Sequence, residues 1–147
     1  MAVTAVPSTR DAGWSLTAAA TEIAAAIRAG EVTARAVVEA HLALLERVNP
    51  TINAVVVALY DEARAAADAA DARIAAAAPD ERLPPLLGVP CTIKESIAVA
   101  GQPNCGGLVA RRDFRARDTA PVAQRLLDAG AIPLGLTNTS EACLWIE

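Results

Sequence analysis

A chain of 147 residues with 54% apolar composition has the length of one ordinary domain and enough nonpolar side chain to build a core. About a quarter of it is alanine, which favours helix but buries little area, and aromatics are only 3%. The net charge of −4 and a pI near 5.0 exclude nucleic-acid binding through a basic patch, and a single histidine, His41, excludes any site that needs two. The three cysteines, Cys91, Cys105 and Cys143, are odd in number, widely spaced and form no CxxC pair. They read as free thiols in a reducing cytoplasm rather than as a zinc or redox motif. Residues 1–7 carry neither a basic n-region nor a long apolar stretch, so no signal peptide is expected. The longest uncharged run, 96–110, is broken by Gly and Pro and falls short of a membrane span.

Residues 1–14 read as a loose arm containing Pro7, Ser8 and Gly13. Leu16 to Ala29 is expected to be a short helix, with Ile23 and Ile27 on one face and Gly30 as its stop. Thr33 is the N-cap expected for a second helix reaching about Val48, with Val37, Val38, Leu42, Leu45 and Val48 as one apolar stripe. Asn49-Pro50 should end it, because the residue before proline avoids helical angles. The β-branched stretch from Ile52 to Leu59 reads as a short buried strand, and Asp61 to Ala78 as a solvated, alanine-rich helix.

The composition changes at Pro79. Leu83-Pro84-Pro85-Leu86 forms a stiff connector, Val89 to Ile93 alternates as a strand, and Ala98 to Asp118 reads mostly as loop. Asp118 or Thr119 is expected to cap a helix from about Pro121 to Ala129, with Gly130 closing it and Ile132 to Leu136 following as a strand. Helix, glycine, then apolar strand is the rhythm of an α/β protein: N-terminal helices followed by the first strands of a mixed, largely parallel sheet. The segment from Asn138 opens a further element within which the 147 residues stop, so the chain reads as a truncated domain.

Of thirteen basic residues, twelve are arginine and one, Lys94, is lysine. A chain so biased towards arginine uses it wherever a surface cation suffices, so a lone lysine suggests a task guanidinium cannot perform. Guanidinium keeps its proton, whereas a buried ammonium can release one and act as a base. The other reading is a surface lysine, or one paired with Glu95 or another acid. In a strand Lys94 shares a face with Thr92 and Ser96, while Cys91 and Ile93 point away. His41 reads as an edge or core histidine. Gly101 to Gly107 has the GxxxxG spacing of a phosphate loop without the Lys-Ser/Thr that should follow, and reads as a backbone loop, with a place beside a ligand as the alternative. Arg111, Arg112, Arg115 and Arg117 form a basic cluster offset by Asp113 and Asp118. It reads as a solvated loop, or more sharply as a site for an anionic substrate or lipid headgroup.

With Lys94 in place, Gly88-Val-Pro-Cys-Thr-Ile-Lys-Glu95 resembles the lysine segment of the amidase signature family. Asp118-Thr119, Ala129-Gly-Ala-Ile-Pro-Leu-Gly135 and Thr137-Asn138 follow in that family's order, and residues 28–55 resemble its N-terminal helices. Gly101-Gln-Pro-Asn104, Arg111-Arg-Asp113 and residues 137–145 are most similar to fatty-acid amide hydrolase-type members. Lys94-Glu95-Ser96 stands where amidotransferase A-subunits usually carry Lys-Asp-Asn. The resemblance implies hydrolysis of linear or fatty-acyl amides by a serine nucleophile, a bridging serine in a cis peptide, and Lys94 as base, with no cofactor and no metal. It implies that Cys143, Leu144 and Ile146 border the acyl pocket.

No Gly-Ser-Ser-Gly loop occurs in the 147 residues, so residues 15–147 read as the N-terminal portion of a single incomplete amidase domain that is inactive alone. Two alternatives stand beside this one. The first is a split or degenerate product that needs a C-terminal half. The second is a small α/β ligand-binding module built on the 101–107 loop. The implied partner is a small-molecule amide, with no nucleic acid and no membrane-spanning segment; oligomeric state stays open.

Overall fold

Ile23 and Ile27, one turn apart, bury with Ala24 and Ala26 and so select a helix, α1 (Ala20–Arg28), in a computed structural model that describes residues 16–144. The expected arm over 1–14 and the site residue Ile146 lie outside the described residues. Glu22 accepts the Ala19 N–H at 2.7 Å at the start of α1, and Gly30 takes a left-handed φ of 73° behind its last turn.

Helix α2 (Ala34–Ile52) begins where Thr33 predicts, with the Thr33 hydroxyl accepting the Ala36 N–H at 3.0 Å. A second cap comes from a distant part of the chain. Asp71, on α3 (Tyr60–Ala76), accepts the N–H groups of Ala34 and Arg35 at 2.7 and 3.0 Å. Val37, Val38 and Leu42 are fully buried, each contributing about 1.5–3 kcal/mol of burial. The helix runs through Pro50 instead of stopping before it. Its end is set by Asn53, which adopts a left-handed φ of 47° and donates its N–H to the Asn49 carbonyl at 2.7 Å. The Asn49 side chain meanwhile pairs with both the N–H and the carbonyl of Val55, each at 2.8 Å, and so leads the chain into strand β1 (Val55–Ala58). Proline near the last turn costs one backbone bond, and these contacts outweigh it.

The alanine-rich helix is less solvated than its composition suggests. Ala63, Ala67 and Ala70 lie one turn apart, are buried, and let α3 approach α2 closely. Charged side chains cross the outer seam: Arg64 and Arg35 both reach Glu39 at 2.9 Å, and Arg35 reaches Asp68 at 2.7 Å.

Strands β2 (Pro90–Lys94) and β3 (Ile132–Thr137) run parallel, and β1 adds antiparallel to the other side of β3, giving the order β1-β3-β2. The expected mixed sheet is thus formed, with the apolar run of β3 at its centre. Between the pairs Cys91–Pro133 and Ile93–Leu136, one residue of β2 faces two of β3. This bulge breaks the two-residue alternation. Ile132 and Leu134 pack with the α1, α2 and α3 core, whereas Leu136 joins Ile93, Leu59 and Ala123 in a second cluster. Ala123 belongs to α4 (Pro121–Asp128), which starts with proline in its first turn as expected. Its N-cap is Ala120, and neither Asp118 nor Thr119 caps it. The Thr119 hydroxyl instead accepts the Ala100 N–H at 3.1 Å, tying the preceding loop to the helix start.

Two tests follow from the α2–α3 contact. Asp71→Ala should lower unfolding stability by about 1–2 kcal/mol in urea denaturation, since it strips acceptors from two helix N–H groups, and Asp71→Asn should recover part of the loss. The Glu39 carboxyl is held below the ordinary carboxylate range, first by the hydrogen bond from Arg64 and then by Arg35, against partial desolvation. Its folded value lies below its unfolded one, so its contribution is complete above the unfolded range, near pH 4.3, and is lost as pH falls through the lower folded value. The acid limb of the melting-temperature profile should therefore be shallower in Glu39→Gln. Added salt should shrink the difference, because the pairs are only partly buried and stay open to screening.

Candidate active site

Lys94 ends β2, opposite Thr137 of β3. Thr92 and Lys94 are exposed on one face, while Ile93 is buried and Cys91 half-buried on the other, as the strand reading anticipates. The expectation of a water-excluded amine is not met by the described residues: Lys94 is exposed. Strand β2 is the edge of this sheet, and none of the described helices covers its Lys94 face. Nor is Lys94 paired with Glu95. No ion pair to Lys94 is formed among the described residues, and Glu95 turns the opposite way into the protein.

Glu95 is 3% exposed and is the one buried charged residue among those described. Its carboxylate accepts the backbone N–H of Cys105 and, at 2.9 Å, that of Gly106. The Asn104 side-chain amide donates to the Glu95 carbonyl at 2.7 Å, and the Glu95 N–H donates to the Thr137 carbonyl at 2.8 Å. The 101–107 loop is therefore an anion cradle, as its glycine spacing hints, but its anion comes from its own chain. This overturns the reading of that loop as the site of a ligand-binding module, because its converging donors are already occupied. Glu95 itself was missed as a functional candidate in the sequence; the usable signal was the glycine-rich loop's need for an acceptor.

Beyond β3 the chain turns back through a short 3-10 segment, Glu141–Cys143, whose Ala142 N–H donates to the Gly106 carbonyl at 2.8 Å. The Thr139 hydroxyl, 3.3 Å from the Cys143 sulfur, and the Ser96 hydroxyl hold this exposed thiol below the ordinary thiol range. Lys94 acts in the same direction, while slight desolvation and Glu95 oppose it. The Thr139 hydroxyl and the Cys143 thiol thus meet in the turn that follows β3. Leu144 is adjacent and 84% exposed, an apolar side chain open to solvent.

The remaining sequence candidates lie elsewhere. The His41 ring Nδ1 is 2.8 Å from the Val37 carbonyl within α2, in line with an edge position. Arg111 stacks 4.5 Å over Phe114, Arg112 faces Asp113 at 3.5 Å, and Arg115 donates to the Gly101 carbonyl at 3.1 Å. The cluster thus behaves as a solvated loop with its own internal partners. All three cysteines are free, and burial pushes the Cys91 thiol up. Among the described residues no group of His, Cys, Asp or Glu could hold a metal ion, and no helix is long and apolar enough to cross a membrane.

This arrangement of helices and mixed sheet recurs in solved amide-cleaving enzymes. A bacterial aryl acylamidase of the amidase signature family superposes with a TM-score of 0.76 at 31% identity, covering 85% of this chain and 26% of that one. The family model described as Amidase matches residues 36–147. The chain therefore belongs to the amidase signature family. Fatty-acid amide hydrolase 2-B of Danio rerio is 43% identical over 136 residues, covering 90% of this chain and 26% of the relative. Indoleacetamide hydrolase of Bradyrhizobium diazoefficiens is 49% identical over 128 residues, covering 87% and 23%. The chain spans about a quarter of the length of these relatives.

The thiols provide a check on this geometry. Iodoacetamide at pH 7.5, read by peptide mass mapping, should alkylate Cys143 at least about tenfold faster than Cys91, because only the former is both exposed and shifted towards thiolate.

Proposed function

We propose that this chain carries the general base, Lys94, of an enzyme that hydrolyses linear or fatty-acyl amides by a Ser-cisSer-Lys mechanism. The observation that supports the reading most is the placement of the single lysine. It ends a parallel strand on an exposed face, without a carboxylate partner among the described residues.

The chemistry asks for an amine that can lose and regain a proton. In its neutral form Lys94 accepts a proton from the bridging serine, which takes one from the nucleophilic serine as that oxygen attacks the amide carbonyl. Collapse of the tetrahedral adduct expels the amine, which receives the proton back through the same relay. Backbone N–H groups carry the charge that develops on the carbonyl oxygen. A solvated ammonium stays protonated at neutral pH, so the mechanism requires cover over Lys94 that residues 16–144 do not supply. Neither Ser96 nor Ser140 lies in a Gly-Ser-Ser-Gly loop, and neither is assigned as nucleophile. On this reading the 147-residue chain alone does not turn over amides. Cys143, Leu144 and Ile146 are proposed to border the acyl pocket, an apolar rim suited to a hydrocarbon chain. A reducing cytoplasm suits the three free thiols.

A fluorophosphonate probe should leave the 147-residue chain unlabelled, and specific labelling of Ser96 or Ser140 would overturn the reading. In a polypeptide that extends this sequence to the length of its relatives and hydrolyses amides, Lys94→Ala should lower kcat by at least about 10²–10⁴-fold. Lys94→Arg should fail nearly as badly, since guanidinium does not give up its proton. Full activity in Lys94→Arg would refute the base assignment.

A further inference from the structure

We propose that Glu95 is a positioning residue: its buried carboxylate ties the 104–107 loop to the end of β2 and, through that loop, holds the 140–143 turn in place. The bearing on amide hydrolysis rests on Lys94 being the base. The geometric part does not, and it is tested without any catalytic readout.

The connection runs through four contacts. First, neighbouring residues in an extended segment point to opposite sides, so Lys94 turned to solvent sends Glu95 inward. A carboxyl group removed from water needs hydrogen-bond partners, and the Cys105 and Gly106 N–H groups supply them. Second, the loop continues through Gly106 and Gly107 with left-handed φ values of 62° and 73°, a backbone conformation glycine takes without penalty. Third, the Asn104 amide closes on the Glu95 carbonyl at 2.7 Å, so the loop is held from both the side chain and the backbone of one residue.

Fourth, the far side of the loop grips the turn. The Ala142 N–H donates to the Gly106 carbonyl at 2.8 Å. A Cβ on Gly107 would stand 2.7 Å from the Ser140 carbonyl oxygen and 2.8 Å from the Glu141 backbone, so only glycine permits this approach. Within the turn, Ala142 and Cys143 take φ values of 52° and 59°, angles that L-residues seldom adopt and keep only where their surroundings impose them. The imposed conformation places the Cys143 sulfur 3.3 Å from the Thr139 hydroxyl.

Cys143 serves as the reporter, because the two ways Glu95 could act on it have opposite signs. The charged groups acting on the thiol are Lys94, which favours thiolate, and Glu95, which disfavours it. If Glu95 acted only through its charge, Glu95→Gln would shift the thiol titration further down. If Glu95 positions the turn, Glu95→Gln leaves one acceptor for two donors and sets an NH2 group against a backbone N–H. The turn then loosens, and Cys143 drifts up towards the ordinary value near 8.5.

The experiment is the pH dependence of iodoacetamide alkylation of Cys143 in the 147-residue chain, followed by peptide mass mapping. Far-UV circular dichroism verifies that the helices persist. An upward shift of the midpoint, with the rate at pH 7 falling about threefold to tenfold, is expected for Glu95→Gln. Gly107→Ala should shift it the same way from the other end of the connection, with the Glu95 charge intact. A downward shift or none in a folded Glu95→Gln protein overturns the proposal. If that variant does not fold, Gly107→Ala and Asn104→Ala decide: upward movement in both supports the connection, and an unmoved midpoint in either refutes it.

Discussion

A carboxylate taken out of water must be met by donors, and here that requirement organises the end of the sheet. Glu95 has the backbone N–H groups of Cys105 and Gly106 on its oxygens, and its own main chain is engaged by Thr137 and Asn104. Leaving such a group unsatisfied costs more than an ordinary hydrogen bond contributes, so the loop has little freedom to depart. The parallel pairing of β2 with β3 brings Glu95 to this point, where its N–H donates to the Thr137 carbonyl. Strand register, buried charge and loop conformation are therefore one connected constraint.

That constraint divides the strand end into two environments. On the inner side lies the buried, hydrogen-bonded Glu95 side chain; on the outer side, one residue earlier, lies the Lys94 amine, open to solvent. An amine in water and an amine under protein cover are different reagents, because desolvation alone moves the proton equilibrium of lysine by several units when burial is complete. The described residues supply the backbone position of Lys94 and its polar neighbours, and they do not supply the cover. This agrees with a chain that spans about a quarter of the length of its relatives.

Much of the helical half was legible in the residue pattern. The isoleucine pair of α1, the Thr33 cap, the apolar stripe of α2 and the proline opening α4 are local signals, and each appears where expected. The departures came from partners remote in the chain. Asn49 clamping Val55 carries α2 through Pro50, and packing against α2 buries one stripe of α3. Thr119, a plausible cap by residue type, is drawn to Ala100 instead. At the site, the lone lysine stood out because arginine fills almost every other cationic position. Glu95 did not, since an acid following a lysine looks like an ordinary surface pair until the fold shows which way each turns.

By itself the sequence determined the N-terminal helices leading into the first strands of a mixed sheet, and it singled out Lys94 as the one lysine beside twelve arginines. Periodicity, caps and composition are local properties, readable without contacts. The tertiary structure alone decided that the 101–107 loop binds its own Glu95, that β3 sorts its apolar residues into two clusters, and that the 140–143 turn packs on Gly106 and Gly107. Each of these depends on which distant groups meet, and a buried charge or a strand bulge is resolved only once packing has chosen its partner.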